Sequence, residues 1–195
     1  TPRNDRGDWV GKKRRSRRKF AGQALTAAEL SYLLWATQGV ERVFENQPVT
    51  YRTVPSAGAK HPFETYLVIF QVQGMAPGLY RYSALKHSLY FLGCPDDLKP
   101  RLSDALFGSE FPLKAPVIFI WAAVPYRMSW KYGSQSEKFI LLDAGHLCQN
   151  LYLAAESIAC GVCAMAAYDQ QKLDSLLGLD GEGELSVYLA PVGKK

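Results

Sequence analysis

The sequence predicts an α+β fold, and three local patterns carry that prediction. A capping box at Thr26–Glu29, followed by leucines at helical spacing and closed by Gly39, predicts a helix over about residues 27–38. The continuous apolar run 116–124 (PVIFIWAAV) predicts a strand that is covered on both faces. Residues 134–160 contain no proline and predict one long helix. The centre of this helix is apolar on nearly every side, so we expect it in a core or at a subunit interface.

The remaining elements are shorter. Residues 40–54 are rich in Glu, Asn and Gln and predict a loop. β-Branched and aromatic residues predict strands at 66–73, 79–82 and 89–92, and a helix is expected over 96–107, where Pro100 starts or interrupts it. Residues 162–168, a short helix near 170–177 and residues 185–192 complete the α+β pattern.

Length and composition indicate one globular unit. The chain has 195 residues, of which 48% are hydrophobic and 21% charged, which is enough to bury a core without disulfide bonds. No linker and no internal repeat divides it. We therefore expect a single domain over residues 1–195, with residues 1–11 as a candidate disordered segment.

The charge of the chain is concentrated at its beginning. The formal net charge is +5, but residues 1–19 hold nine basic and two acidic side chains, so the rest of the chain is slightly acidic. The basic run 12–19 (KKRRSRRK) offers guanidinium groups, a hydroxyl and backbone N–H groups, a set that suits a phosphate. A solvated basic tail and a nucleic-acid-binding arm are the alternatives. Phe20 and the capped helix tie the run to the folded body, which favours a site.

The cysteines, the histidines and the lengths of the apolar segments argue against a disulfide framework, a metal site and a membrane span. Four cysteines in this length do not make a disulfide framework, and Cys160 and Cys163 lie at the end of a helix running into a strand, where structural roles are favoured. The three histidines have no metal-ligand spacing, so we expect no metal site. No apolar segment is long enough to span a bilayer. We expect a cytoplasmic protein, and the absence of an initial methionine indicates a processed N-terminus.

Two further segments offer chemistry. Small residues from Ser56 to Ala59, just before a predicted strand, allow the backbone to approach a flat ligand, and His61 and Glu64 add polar groups. The alternative is an ordinary turn entering a strand. Lys131 and Tyr132 can exchange a proton if burial lowers the pKa of the amine, whereas a surface lysine is the alternative. Neither a dinucleotide fingerprint nor a P-loop is present, so the basic run must bind any phosphate.

Eight segments, taken together and in order, resemble the FMN-dependent nitroreductase family and, within it, the SagB-type dehydrogenases. That branch includes enzymes that oxidise azolines in peptide antibiotics. The segments span nearly the whole chain: RRSRRKF (14–20), LSYLLWATQGV (30–40), RTVPSAGAKHPFETYLV (52–68), GLYRY (78–82), WKYG (130–133), LLDAGHLCQNLYLAAE (141–156), GVCAMAAYD (161–169) and VYLAPVG (187–193).

The resemblance implies a fold and a cofactor site. The implied fold is a three-layer α-β-α arrangement with a central, mainly antiparallel sheet. The implied assembly is a homodimer with one FMN in each of two interface sites. The implied phosphate ligands are Arg14, Arg15, Ser16 and Lys194, with Arg18 nearer the flavin ring. The residues implied at the ring are Pro55, Ser56, Ala57 and Gly58, from the partner subunit, together with Ala166 and Ala167 near flavin N5.

The resemblance also implies a reaction. It is a ping-pong hydride transfer through flavin N5, with NADH or NADPH as electron donor and nitroaromatics or quinones as acceptors. Lys131 and Tyr132 match a pair assigned to proton transfer in azoline-oxidising relatives, so oxidation of peptide azolines is the alternative reaction. The implied partner is therefore a small molecule or a peptide, with no nucleic acid and no membrane. Other classes stay open: a basic-arm nucleic-acid-binding protein, or a flavin-binding protein that has lost catalysis.

Overall fold

The computed structural model describes residues 10–46 and 49–195 of the chain. The predicted disorder over residues 1–11 falls outside these residues, except that Val10 and Gly11 begin the first helix. The described residues form helices α1 (Val10–Lys13), α2 (Ala27–Gln38), α3 (Leu98–Ala105), α4 (Tyr126–Tyr132), α5 (Ser136–Ser157) and α6 (Gln170–Leu177). Their strands are β1 (Val40–Val43), β2 (Thr50–Arg52), β3 (Phe63–Ile69), β4 (Gly78–Ser83), β5 (Ser88–Gly93), β6 (Val117–Ala123), β7 (Cys160–Val162) and β8 (Leu185–Lys194).

A six-stranded antiparallel sheet forms the centre of the protein. Its strand order is β5-β4-β3-β6-β8-β7, and β1 and β2 form a separate hairpin. β6 lies in the middle, where Tyr66 of β3 pairs with Ile120 and Ala190 of β8 pairs with Phe119. Every residue of β6 is buried, which confirms the prediction that the apolar run is covered on both faces.

Helices cover both faces of the sheet. On one face, leucines of α2 and α5 share a core with Leu67 and Phe119. On the other face, Leu102 of α3 and Leu173 of α6 pack against Ile118 and Ile120. Successive residues of a strand point to opposite faces, so neighbours in β6 feed both cores. The structure therefore has the expected three-layer α-β-α architecture.

The elements with strong local signals are found where they were predicted. Thr26 accepts a hydrogen bond from the Glu29 backbone, and the Glu29 carboxylate accepts one from the Thr26 backbone, so the capping box is formed. The strands at 79–82 and 89–92 and the helix at 170–177 are also confirmed. Pro100 lies inside the first turn of α3, where its missing N–H costs no hydrogen bond.

Two predicted elements differ from the structure, and a third segment, 162–168, had no predicted type. The loop predicted over residues 40–54 contains the β1–β2 hairpin, whose strands are too exposed to show an apolar alternation. The strand predicted over 66–73 begins at Phe63 and ends at Ile69, because the Phe70 and Gln71 N–H groups both donate to Pro116 O. In the segment 162–168, only Val162 belongs to a strand.

Helix α5 is buried on one side only. Asp143, Leu147 and Leu151 face the core, whereas Leu141 and Leu142 are 56% and 52% exposed. The apolar helix is thus not enclosed by its own chain, and its outer face is open within one chain. Each helix within the described ranges is too short or too polar to cross a membrane.

Candidate functional site

The basic run is part of the folded body. Ser16 forms a parallel bridge with Val162 of β7, and the Arg17 N–H donates to Val162 O at 2.8 Å. Gly161 makes this approach possible, because a Cβ there would lie 2.8 Å from Arg17 Cδ. The run is therefore pinned along the edge of the sheet, and its interpretation as a detached tail is wrong for these residues.

Tyr152 of α5 connects two segments of the predicted site. Its hydroxyl accepts a hydrogen bond from Ala164 N (2.8 Å) and shares one with Ser16 Oγ (3.1 Å). The Arg14 guanidinium lies over the Tyr152 ring, 5.1 Å from its centroid. No role was predicted for Tyr152, because its hydroxyl is one of several polar groups on this largely apolar helix.

The other predicted phosphate residues lie around β7. Lys194 is paired across β8–β7 with Cys160, and its Nζ forms an ion pair with Glu29. Arg18 is exposed, as is Arg15, whose Nη1 donates to Lys12 O and Arg14 O. β7 is thus flanked by Ser16 on one side and Lys194 on the other. Neighbouring strands are about 4.8 Å apart, so Ser16 and Lys194 lie about 10 Å apart across β7, and we call residues 14–18 together with Lys194 the basic edge.

Ala166 and Ala167 continue from the Tyr152 contact. Met165 forms an isolated bridge with Leu189 of β8. After Met165 the chain leaves the sheet, and both alanines are exposed. Their small side chains leave the backbone accessible. The structure therefore brings the predicted N5 segment and the predicted phosphate segment to the same end of α5.

The segment 55–58 is held at the other half of α5. Ser56 Oγ donates to Asp143 Oδ2 at 2.5 Å, and Ala57 N donates to Asp143 Oδ1 at 3.2 Å. Burial raises the pKa of the Asp143 carboxyl, although these two hydrogen bonds oppose the rise. No role was predicted for Asp143, which lies in the segment 141–156. It fixes a segment whose Gly58, Ala59 and His61 all have positive φ.

Lys131 and Tyr132 meet this same segment, but Lys131 is exposed, so the burial on which the proton-transfer prediction depends is not found within one chain. A Cβ on Gly58 would lie 2.6 Å from Tyr132 Oη and 2.8 Å from Lys131 Nζ, so only glycine fits there without displacement. The Tyr132 ring is packed against Phe139, with centroids 4.4 Å apart. The predicted proton-transfer pair and the predicted ring-lining residues are therefore neighbours within one chain.

Within one chain, the two parts of the predicted site are separated along α5. Asp143 marks one part and Tyr152 the other, and nine residues of helix rise about 13 Å. The outer face of α5 lies between them, with Gly145, His146 and Gln149 exposed.

The cysteines and acidic residues add no second chemistry. Cys160 and Cys163 are free and buried. Burial raises the pKa of Cys160 to about 11 and also raises that of Cys163, so both stay protonated at neutral pH. Among the residues that the structure describes, no three His, Cys, Asp or Glu side chains are grouped as metal ligands.

The covered antiparallel sheet between two helical layers is the fold of a known class of flavin-type oxidoreductases. The chain belongs to the nitroreductase family, whose model matches residues 12–194.

Relatives and solved structures agree with this assignment. The nitroreductase-family protein MJ1384 of Methanocaldococcus jannaschii is 34% identical over 185 residues, covering 94% of this chain and 88% of that protein. The trifolitoxin-processing protein TfxB of Rhizobium leguminosarum bv. trifolii is 27% identical over 66% of this chain, but the match spans only 36% of TfxB.

Two solved structures have the same fold. A nitroreductase-family protein of Ralstonia eutropha JMP134 superposes with a TM-score of 0.77 at 26% identity, covering 100% of this chain and 86% of that one. The Escherichia coli microcin synthetase McbBCD complex, with truncated pro-MccB17 bound, contains a chain with a TM-score of 0.76 at 18% identity. That match covers 96% of this chain and 73% of the other, and it shows the fold alone.

Proposed function

We propose that the protein is an FMN-dependent oxidoreductase that transfers hydride through flavin N5 by a ping-pong mechanism, with NADH or NADPH as donor. The observation that carries the proposal is the contact of Gly58 with Lys131 and Tyr132. It joins a segment that suits a flat ring to a pair that suits proton transfer, although the two are distant in sequence.

The residues present fit the cofactor. Guanidinium, hydroxyl and ammonium groups on the basic edge match the oxygens of a phosphate ester. The residues that would hold the phosphate are Arg14, Arg15, Ser16 and Lys194, and those that would line the ring are Arg18, Pro55, Ser56, Ala57, Gly58, Ala166 and Ala167. When bound, FMN supplies the two-electron chemistry that no side chain here provides.

The protein residues bind, orient and move protons. Arg18 places a positive charge near the ring, which favours negative charge developing there. Lys131 Nζ and Tyr132 Oη hold or deliver a proton beside the ring-lining segment, and Phe139 fixes the tyrosine ring. Asp143 keeps Ser56 and Ala57 in place, so the segment is organised before a ligand binds.

We further propose that two copies of the chain form the site. The outer face of α5 exposes Leu141 and Leu142, and α2 adds Tyr32 and Trp35, which are 40% and 45% exposed. An apolar surface of this kind is typical of a protein interface. Sedimentation of the purified protein tests this, and a monomer that binds FMN fully would contradict it.

Oxidation of peptide azolines is the second candidate function. The similarity to the trifolitoxin-processing protein TfxB favours it, and so does the Lys131–Tyr132 pair. A nucleic-acid-binding arm has less support, since residues 14–17 are bound to α5 and β7. The two oxidoreductase candidates use the same residues and differ in substrate.

The test combines cofactor binding with turnover. The purified protein, supplied with FMN, should be yellow and should be bleached by NADH or NADPH. The bleached protein should then reduce 1,4-benzoquinone or nitrobenzene, or else the yellow protein should oxidise an azoline peptide. Lys131→Ala should keep its flavin and lose turnover at least about tenfold.

The matched control is Lys86→Ala, which changes an exposed lysine in the turn between β4 and β5 and should behave as wild type. A protein that takes up no FMN would overturn the proposal. Tight FMN binding without turnover on any of these substrates would instead indicate a flavin-binding protein without catalysis.

A further inference from the structure

A cavity of about 830 Å³ lies beside the site and is not used by it. It is a half-open cleft bordered by the β1–β2 hairpin, strands β3 and β4, and helix α4. Ligand pockets usually measure about 300–1,000 Å³, so this cavity can hold a small organic molecule. Its charged lining residues are Arg52, Lys60, Glu64, Arg81 and Arg127.

Glu64 is the only carboxylate among these lining residues, and it is already occupied. Its Oε1 lies 2.5 Å from Arg127 Nη2, and its Oε2 lies 3.3 Å from Arg81 Nη2. The Glu64 side chain is 18% exposed, so both arginines hold it in a sheltered position. One carboxylate thus faces four cationic side chains, and the cavity has an excess of positive charge.

Arg52 lines the same cavity but forms no ion pair with Glu64. Its Nη1 donates to Gln38 Oε1 at 2.6 Å and its Nε to Thr50 Oγ1 at 3.3 Å, and both acceptors are neutral. In the described part of the chain, no carboxylate forms an ion pair with it. Burial lowers the pKa of Arg52, and the nearby Glu64 only partly opposes this. His61 adds no negative charge, since a histidine is neutral or cationic. A half-buried guanidinium with neutral partners favours an anion.

Aromatic rings surround the opening of the cavity. Phe44, Tyr90, Tyr126 and Trp130 all line it, and Tyr126 and Trp130 are 74% and 59% exposed. Lys60 Nζ lies 4.2 Å from the centroid of the Trp130 ring. Exposed aromatic faces next to a cationic interior are suited to a planar ligand with an anionic end.

We propose that this cavity binds a small planar aromatic ligand carrying a carboxylate or phosphate group, with Arg52 as its principal anion contact. Guanidinium binds either group through two parallel hydrogen bonds. The ring of the ligand lies against Trp130 and Tyr126.

The cavity adjoins the predicted reaction centre. Ala59 and Lys60 line it and directly follow Gly58, and Trp130 lines it and directly precedes Lys131. A ligand held by Arg52 therefore lies next to the proton-transfer pair, and the cavity selects anionic aromatic substrates. This role as a selector rests on the proposed function, whereas the binding itself does not.

The experiment measures binding of three matched probes to the full chain saturated with FMN. The probes are 4-nitrobenzoate, 4-nitrophenyl phosphate and the neutral 4-nitrobenzamide, which share a nitrophenyl ring. Isothermal titration with all three distinguishes the contribution of the anionic group to binding from that of the ring. Either anion, or both, should bind at least about tenfold more tightly than the amide. Arg52→Gln should remove that preference and leave amide binding unchanged.

Control variants separate binding from folding and from flavin chemistry. Arg101→Gln, at a half-exposed arginine on α3 outside the cavity, should bind as wild type. Arg52→Lys, which keeps the charge but not the planar fork, should recover part of the preference. Trp130→Ala, at the exposed rim of the cavity, should weaken the binding of all three probes. This last variant tests the cavity even if the Arg52 variants do not fold.

Equal binding of the anions and the amide, or unchanged anion binding in folded Arg52→Gln, would overturn the proposal. Flavin content is read from the same samples. A protein that holds no flavin but binds the anions in an Arg52-dependent way would contradict the proposed function and leave the cavity proposal standing. A protein that holds flavin but binds the anions independently of Arg52 would contradict the cavity proposal and leave the proposed function standing.

Discussion

Ser56 and Asp143 are joined by a hydrogen bond of 2.5 Å between the small-residue segment and the middle of α5. Asp143 is 4% exposed and also accepts from Ala57 N, so one buried carboxylate fixes two consecutive residues. Ser56 Oγ in turn accepts from His61 N at 2.8 Å. The conformation of the segment therefore depends on α5 as well as on its own sequence.

This relationship predicts a strong coupling between the two side chains. Asp143→Ala should lower the free energy of unfolding by about 2 kcal/mol, because it leaves buried donors unpaired. In a double-mutant cycle with Ser56→Ala, measured by urea denaturation, the coupling should be about 1 kcal/mol or more. Additive effects of the two substitutions would show that the hydrogen bond does not hold the segment.

Gly58→Ala should slow turnover strongly and lower the free energy of unfolding only slightly. The new methyl group would meet Tyr132 Oη and Lys131 Nζ at less than 3 Å, and small displacements of reacting groups can cost about a hundredfold in rate. Steady-state kinetics should show at least about a tenfold lower kcat.

The matched control is Gly74→Ala. Gly74 also has a positive φ, of 75°, but a Cβ there would have nothing within 4 Å. Both substitutions should cost about 1 kcal/mol of stability, and only Gly58→Ala should lose activity. Equal kinetics for the two variants would exclude a steric role of this contact.

Tyr152→Phe should weaken FMN binding. It removes the hydroxyl that joins Ser16 Oγ to Ala164 N, so the basic edge and the 164–167 segment lose their common support. Flavin-fluorescence titration should give an affinity about fivefold lower than that of wild type. Tyr51→Phe, at a tyrosine that is 55% exposed in the hairpin, is the control and should show no change. An unchanged affinity in Tyr152→Phe would remove Tyr152 from the site.

Stability should fall below pH 6.5 through His61. This side chain is 7% exposed. Burial lowers its pKa to about 4, and the charges of Arg52 and Arg127 add to the effect. Between pH 6.5 and about pH 4 the unfolded chain therefore takes up a proton that the folded chain does not, and the free energy of unfolding decreases.

The substitution His61→Asn isolates this effect, because asparagine tolerates the positive φ of 45°. Urea denaturation from about pH 7 to about pH 4.5 should show wild type losing about 2 kcal/mol more than the variant. Parallel losses in the two proteins would mean that His61 titrates normally in the folded state.

Local signals were sufficient for much of the fold. The capping box of α2 and the apolar run of β6 depend on neighbours in sequence, and both are confirmed. The β1–β2 hairpin was missed because Glu41, Arg42 and Val43 are all exposed, so no face of β1 shows an apolar pattern. Its strands are defined by pairing with each other, which a sequence pattern of this length does not reveal.

The residue types of the candidate site could be predicted from the sequence, but the contacts between its segments could not. The residue types at 14–18 and 55–58 indicate a phosphate and a flat ring, because charge and side-chain size are properties of the sequence itself. The contacts through Asp143 and Tyr152 arise from helix packing, and so does the approach of Gly58 to Lys131. The arginine-lined cavity was missed for the same reason, since its residues come from separate strands and helices.

Whether the basic edge holds the phosphate of FMN is decided by comparing the binding of FMN with that of riboflavin. Riboflavin has the same ring but no phosphate. Fluorescence titration of wild type and Arg14→Ala should show FMN affinity falling about tenfold or more in the variant, as for a lost charge-assisted hydrogen bond. Riboflavin affinity should be low and equal in both proteins. FMN binding that Arg14→Ala leaves unchanged, or riboflavin binding as tight as that of FMN, would contradict the account.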